Sequence, residues 1–139
     1  MQLTRHTDYA LRLLIYLTGV EGGRTSIAEV ADSQDVSRTH LMKIANELAR
    51  NGFIEAVRGR SGGICLGKPA AEINIGQVVR VTERGCGLVD CTGCRLIRRC
   101  GLPSVLNEAE QAFFAVLDRF TLADIVRSKK QGAALEFAT

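Results

Sequence analysis

Hydrophobic and polar residues alternate along the first part of the chain in a way that predicts three helices. Apolar side chains recur every three or four positions, as on the buried face of a helix, and a glycine or capping residue interrupts each series. The predicted helices end before Gly19, run from Ser26 to about Asp32, and run from Ser37 to Asn51. The second begins with SIAE, a capping-box pattern in which serine and glutamate side chains satisfy free backbone N–H groups. Two short helices joined by a tight turn predict a helix-turn-helix.

Two short apolar segments after these helices predict a pair of strands. They cover residues 53–57 and 64–66, and the glycine-rich tip between them carries Arg58 and Arg60. Glycine lets the backbone approach phosphates closely, and an arginine can enter a narrow minor groove, where the negative potential is enhanced. We therefore predict a mainly α fold, a winged helix-turn-helix with a two-stranded wing.

The second half of the chain predicts a helix at about residues 75–82 and then a long amphipathic helix. Apolar residues of the long helix recur at three- and four-residue intervals: Leu102, Val105, Leu106, Ala109, Phe113, Val116, Leu117 and Phe120. Because this helix lies outside the winged domain, its apolar face needs a partner. The same helix of a second subunit is the simplest one, so we predict a dimerisation helix. Residues 121–124 predict a new helix start.

The charge of the chain is small but concentrated. The 139 residues carry a net charge of +3, and 46% of them are hydrophobic, which is enough for one core. Six basic residues and two acidic ones lie between positions 38 and 68, so the excess falls on the predicted helix-turn-helix and wing. No apolar run is long enough to span a bilayer, and we expect a cytoplasmic protein with no membrane partner.

Four of the five cysteines lie close together at Cys86, Cys91, Cys94 and Cys100, with four, two and five residues between them. Clustered thiolates in a reducing compartment indicate a metal site, either an iron-sulfur cluster or zinc. The CTGC tetrad lacks the βαβ surroundings of a disulfide oxidoreductase, and we do not expect an enzyme. The predicted units are a winged DNA-binding domain at 1–82, a cluster-binding loop at 83–101, a dimerisation helix with a short following helix at 102–128, and a tail at 129–139.

The residues expected to contact DNA follow from the winged helix-turn-helix prediction. The N-terminal part of a recognition helix lies closest to the base edges of the major groove. The predicted major-groove residues are Ser37, Arg38, Thr39, His40 and Lys43. Arg58 and Arg60 of the wing are expected to contact phosphates or the minor groove, and Ser26 with its helix N-terminus is expected to hold a phosphate.

Four segments of the chain resemble the NsrR branch of the IscR/NsrR/RirA regulators. They are MQLTRHTDYALR at residues 1–12, VSRTHLMKI at 36–44, AVRGRSGGI at 56–64 and FTLAD at 120–124. The resemblance implies a homodimeric winged-helix transcription regulator, usually a repressor. It also implies a pseudo-palindromic double-stranded operator, and an iron-sulfur cluster that reports nitric oxide.

The resemblance further implies a ligand set for that cluster. Three cysteines, Cys91, Cys94 and Cys100, hold it together with Asp8 of the partner subunit. Only two residues separate Cys91 from Cys94, fewer than is usual in the family. Cys86 is therefore an alternative to Cys91, or a fourth thiolate in place of Asp8. A carboxylate on a thiolate-rich cluster is expected to be its weakest bond, which opens one iron to a small ligand.

Alternatives to this interpretation remain open at the level of sequence. We favour a 4Fe-4S cluster over a 2Fe-2S cluster, with zinc as the alternative metal. The IscR branch has a histidine three residues after the last cysteine, and Pro103 occupies that place here. The alternative functions are an iron-responsive or redox-responsive regulator of the same family, and a DNA-binding protein with a structural zinc site.

Overall fold

A computed structural model describes residues 1–84 and 87–126 of the chain. Within these residues, eight helices and strands make up the fold, and they confirm the mainly α, winged-helix prediction. They are α1 Arg5–Thr18, α2 Ile27–Gln34, α3 Arg38–Arg50, β1 Ile54–Val57, β2 Gly63–Leu66, α4 Ile75–Thr82, α5 Leu102–Leu117 and α6 Leu122–Ile125. Short 3-10 turns at Glu21–Gly23 and Ala70–Glu72 connect them. Within the described residues no helix has the length and apolar character needed to cross a membrane.

Side-chain caps begin α2 and α3, as predicted. Ser26 Oγ accepts from the amide of Glu29 at 3.1 Å, and Ser37 Oγ accepts from the amide of His40 at 3.0 Å. The second half of the expected capping box differs, because the Glu29 carboxylate accepts from the Thr25 hydroxyl. The predicted turn after Asp32 was also misplaced. Helix α2 continues to Gln34 and ends where Asp35 adopts a left-handed conformation with φ of 52°.

The wing is a two-stranded antiparallel sheet that is attached to the start of α2. Ile54 pairs with Leu66 and Val57 with Gly63. Thr25 exchanges two backbone hydrogen bonds with Ile64, at 2.7 and 3.1 Å, so the residue before Ser26 continues the sheet. Gly63 is required here, because its φ is 148° and a Cβ would collide with the Thr25 carbonyl.

One hydrophobic core holds the winged domain together. Helix α1 packs against α3 and α4, and the side chains of Leu13, Leu14, Ile44 and Leu48 are fully buried between them. Leu122, from the far end of the chain, is equally buried in this core. The winged domain therefore includes a residue from the unit that the sequence assigned to dimerisation.

The segment that follows α5 returns to the winged domain. The amide of Leu122 donates to Ile73 at 2.8 Å, and the amide of Ile75 donates to Phe120 at 3.0 Å. Thr121 and Asp124 form a complete capping box, which confirms the predicted helix start. The predicted tail, residues 129–139, lies outside the described residues.

The prediction for the apolar face of α5 needs a correction. No residue of α5 is fully buried, but Phe113, Phe114 and Leu117 pack against the core of their own chain. Leu102 and Val105 are more than half exposed. The apolar pattern was therefore wrongly assigned to a single partner, since one part of it packs against the core of its own chain and only the rest faces outward.

Candidate nucleic-acid interface and cysteine-rich loop

The N-terminal end of α3 presents polar side chains to solvent. Ser37, Arg38 and Thr39 are exposed, and so is Lys43 one turn later. Nη2 of Arg38 lies 3.3 Å from a carboxylate oxygen of Asp32, so α2 positions this guanidinium. These residues form a solvated surface with hydroxyl, guanidinium and ammonium groups that can bond to base edges or phosphates.

The exposed polar face of α3 extends beyond the residues that the sequence predicted to contact DNA. Thr39, Lys43, Asn46 and Arg50 recur at three- and four-residue intervals and are all exposed, opposite the buried Ile44. The sequence prediction did not include Asn46 and Arg50, because it rested on the rule that the start of a recognition helix lies closest to the base edges. Both residues could have been predicted from the sequence, because they continue the three- and four-residue spacing that begins with Thr39 and Lys43.

His40 occupies a different environment from its neighbours on α3. It is half-buried, and its ring lies edge-on to Tyr9 with 5.5 Å between centroids and 5.9 Å from the His6 ring. The imidazole thus packs α3 against α1 while part of it remains accessible. Such stacking restricts the rotamers that His40 can adopt toward DNA.

The wing carries its two predicted cations at an exposed tip. Arg58 and Arg60 are both solvent-exposed, on either side of Gly59, which has a φ of 113°. Arg24 was not predicted to take part, but its Nη1 donates to the Ser61 carbonyl at 3.0 Å. Arg24 therefore connects the wing tip to the segment that precedes Ser26 and α2.

A buried carboxylate on α3 is the second feature that the sequence did not indicate. Glu47 is 4% exposed, and its two oxygens are bonded to Nε2 of His6 and to Nη2 of Arg84. Burying a charge is unfavourable unless it is paired, and here both oxygens are. A polar groove of about 520 Å³ lies beside this cluster, lined also by Lys43 and Arg50.

A second carboxylate joins the start of α1 to the end of α4. Glu83 accepts from the backbone amide and the hydroxyl of Thr4, both at 3.1 Å, and from the Thr7 hydroxyl. Partial burial alone raises the pKa of Glu83, but the hydrogen bonds from Thr7 and Thr4 outweigh it, so the pKa lies below its ordinary value of 4.5. The segment that enters the cysteine-rich loop is thus fixed to α1.

The cysteine-rich loop, described from residue 87 to residue 101, consists of local turns. The amide of Cys94 donates to the Cys91 carbonyl at 3.1 Å, with Gly93 at a φ of 71°. Asp90 accepts from the Thr92 amide at 2.9 Å, and this bond lowers the pKa of Asp90. The large aliphatic side chains of the loop are all more than one-third exposed: Leu88, Val89, Leu96 and Ile97. The loop therefore has no core of its own.

The side chains of the predicted ligands are accessible, but they do not lie close together. Cys91, Cys94 and Cys100 are free thiols at half-exposed or exposed positions. Across the described residues, no three His, Cys, Asp or Glu side chains lie close enough together to hold a metal ion. Cys86 lies outside the described residues. Asp8 is partly exposed in the first turn of α1 and accepts from Nε of Arg12 at 3.0 Å.

The donor chemistry of this loop nonetheless fits an iron-sulfur cluster or zinc. Three free thiols within one exposed loop are the soft donors that both require. The described part of the loop has no buried side chain to hold its path, and a metal bound by these thiols would supply that order. The carboxylate of Asp8 is a harder donor, available once its pair with Arg12 opens.

The exposed part of α5 forms an apolar surface. Leu102, Val105 and Val116 are 51%, 61% and 48% exposed. On the other side of the helix, Arg80 of α4 donates to Asp118 at 2.5 and 2.8 Å, and its guanidinium lies 4.5 Å from the centre of the Phe114 ring. The hydrogen bonds between these two side chains lower the pKa of Asp118 and raise that of Arg80. Helix α5 is therefore fixed to its own domain on one side and open on the other.

Comparisons with known proteins agree with this architecture. The model of the Rrf2 family, described as iron-dependent transcriptional regulators, matches residues 3–128. The crystal structure of oxidised CymR from Staphylococcus aureus is 27% identical with a TM-score of 0.71, covering 92% of this chain and 98% of that one. IscR from T. potens is 23% identical with a TM-score of 0.75, covering 100% and 93%. CymR from B. subtilis, a global cysteine regulator, is 24% identical with a TM-score of 0.65, covering 91% and 96%.

Proposed function

Because the chain belongs to the Rrf2 family of iron-dependent transcriptional regulators, which are not enzymes, we propose that it is a homodimeric repressor regulated by an iron-sulfur cluster that senses nitric oxide. The observation that carries this proposal is the pairing of two features in one chain. A winged helix-turn-helix with exposed basic residues is followed directly by an accessible loop with three free thiols.

Operator recognition is assigned to the exposed residues of α3 and the wing. Ser37, Arg38, Thr39 and Lys43 face the major groove, with His40 contributing the accessible edge of its ring. Arg58 and Arg60 contact phosphates or the minor groove, Ser26 holds a phosphate, and the exposed positions of Asn46 and Arg50 extend the contact along α3. A two-fold dimer requires a pseudo-palindromic double-stranded operator.

The cluster is assigned to Cys91, Cys94 and Cys100, with Asp8 of the partner subunit as the fourth ligand and Cys86 as the alternative. When bound, a 4Fe-4S cluster supplies an iron whose weakest ligand can be exchanged for a diatomic molecule. In the described chain Asp8 is paired with Arg12. Arg12 is therefore a competitor for the carboxylate, and it stabilises Asp8 whenever that residue is not a ligand.

The proposed regulation acts through the angle between the two winged domains. Asp8 lies in the first turn of α1, and α1 packs directly against α3. Holding or releasing Asp8 therefore moves the paired recognition helices relative to each other without altering their reading residues. Coupling of about 1–3 kcal/mol, or roughly 5- to 150-fold in affinity, is an ordinary magnitude for such a link.

Anaerobic purification followed by nitric oxide titration tests the proposal. We expect a brown protein that contains iron and sulfide, and whose affinity for an operator duplex selected in vitro falls when nitric oxide is added. A colourless protein that contains zinc would support the structural-zinc alternative. Operator binding that does not change on titration would overturn the sensor assignment.

An iron-responsive regulator is the second candidate, and the family description favours it. The same thiols would serve, and only the signal differs. Treating the loaded protein with an iron chelator in one arm and nitric oxide in the other separates the two. Loss of operator binding in the chelator arm alone would assign the response to iron.

A further inference from the structure

The buried carboxylate of Glu47 connects the recognition helix to two other parts of the chain. Glu47 lies on α3, four residues after Lys43, and is 4% exposed. One carboxylate oxygen is bonded to His6 and the other to Arg84. These partners are 41 and 37 residues away in sequence, so the cluster is a tertiary link.

The two partners of Glu47 come from the two segments that carry the proposed cluster ligands. His6 lies in the same first turn of α1 as Asp8. Arg84 is the last described residue before the segment that contains Cys86 and leads to the other cysteines. Glu83, beside Arg84, is bonded to Thr4 at the N-terminus of α1, so both segments meet next to α3.

We propose that Glu47 is a positioning residue that relays the state of the cysteine-rich loop to the recognition helix through Arg84 and His6. This inference rests on the proposed function and names a route for its regulation. If the loop reorganises and moves Arg84, a buried carboxylate loses one of its two partners. Helix α3 must then shift to restore the pairing or to bring Glu47 to water.

The exposure of the partners makes the relay responsive. The Arg84 side chain is 75% exposed, whereas that of Glu47 is 5% exposed. Arg84 can therefore leave at little expense to packing, while Glu47 remains in a site that favours a paired charge. Because Glu47 is buried and Arg84 is exposed, a change in the loop that moves Arg84 is expected to alter mainly the position of α3.

A matched control exists in the Arg80–Asp118 pair. That pair also joins two parts of the chain, α4 and the residue that follows α5, with bidentate contacts of 2.5 and 2.8 Å. Removing it tests for a general effect of losing an ion pair, separate from the specific effect of losing Glu47.

The experiment compares the full-length parent with Glu47→Gln, Arg84→Gln and Asp118→Asn, all prepared anaerobically. The affinity for one in-vitro-selected operator duplex is measured before and after removal of the cluster, and the ratio of the two dissociation constants is the readout. We expect the parent and Asp118→Asn to show a ratio of roughly 5- to 150-fold. Glu47→Gln and Arg84→Gln are expected to lower the ratio to below about threefold.

Hydrogen exchange of the α3 amides supplies a readout that does not depend on DNA. Cluster removal should change α3 exchange in the parent but not in Arg84→Gln, and Arg84→Lys should restore the difference by keeping the charge. Should Glu47→Gln not fold, the Arg84 variants decide the question, since that side chain is mostly exposed.

The outcomes separate this inference from the proposed function. A parent that binds operator equally with and without the cluster overturns the proposed function and the relay with it. A parent that responds, while both the Glu47→Gln and Arg84→Gln variants respond as strongly, overturns only the relay. Reduced thermal stability of Glu47→Gln with an unchanged affinity ratio would likewise show that Glu47 has a structural role alone.

Discussion

The winged domain and the region after it obtain their order in different ways. In the winged domain, leucine and isoleucine side chains from four helices and two strands are fully or almost fully buried in one core. In the cysteine-rich loop every large aliphatic side chain is more than one-third exposed, and α5 has no fully buried residue. The first region is complete within one chain, whereas we propose that the second obtains its order from a metal, a second copy, or both.

Under the proposed function, the signal is received in the less stable region. A loop of local turns without buried apolar contacts opens with little free energy, and segments that respond to ligands are drawn from that end of the stability range. The recognition surface, by contrast, is held by the hydrophobic core, and the proposed signal reaches it only through α1 and the polar contacts of Glu47. The proposed regulation therefore changes the position of the recognition surface but not the residues that form it.

The largest expected effect is on the core. Leu122→Ala should lower the free energy of unfolding by about 2–5 kcal/mol, because it removes a fully buried side chain. Leu96→Ala in the loop, where the side chain is 66% exposed, should change it by less than about 0.5 kcal/mol. Urea unfolding of the cluster-free protein measures both. Equal losses would show that the loop has a core after all.

The next effect is on self-association. Val105→Glu places a charge on the exposed apolar side of α5 and should weaken dimerisation at least about tenfold. Asn107→Glu, at an exposed position of the same helix outside this apolar surface, is the control and should leave the association constant near that of the parent. Sedimentation equilibrium distinguishes them. Equal behaviour of the two variants would contradict the assignment of this surface to a second copy.

A smaller effect is expected at the wing. Arg58→Ala should weaken operator binding about three- to tenfold and lower the slope of log affinity against log salt concentration by about 1. The loss should be the same with and without the cluster, since the wing belongs to the self-contained region. Arg119→Ala, away from the wing, is the control. A parent-like salt slope for Arg58→Ala would remove this residue from the interface.

The smallest effect concerns the junction of the two regions and depends on pH. Because the pKa of Glu83 is lower in the folded state, its ionised form stabilises the fold above pH 4.5, and this stability is lost as the pH falls through the folded-state pKa. Glu83→Gln should therefore reduce stability at pH 7 by up to about 1 kcal/mol. The difference from the parent should vanish in acid. A constant difference at all pH values would exclude the carboxylate as its source.

Local signals were sufficient for most of the fold. Ser26, Ser37 and Thr121 mark helix starts because their side chains bond to amides only three residues away, and such short-range patterns are readable in sequence. The end of α2 was missed by two residues because Asp35, rather than a glycine, adopts the left-handed conformation.

Long-range pairing explains what could not be predicted. Nothing near Glu47 in sequence indicates that it is buried, because its partners His6 and Arg84 come from other elements. The apolar period of α5 likewise could not show that Phe113 packs against the core of its own chain while Val105 faces outward. In the loop, the cysteine spacing indicates candidate metal donors, but it determines neither the metal nor the path of the chain between them.

The burial of Leu122 has a consequence for how two such chains would span a duplex. Helix α5 is attached to the cysteine-rich loop at one end and, through Thr121 and Leu122, to the core of the winged domain at the other. It cannot swing as an independent arm. If two α5 helices pair, their crossing angle fixes the separation of the two recognition helices. That separation sets the spacing of the operator half-sites that the dimer can bind, which is near one turn of B-form DNA.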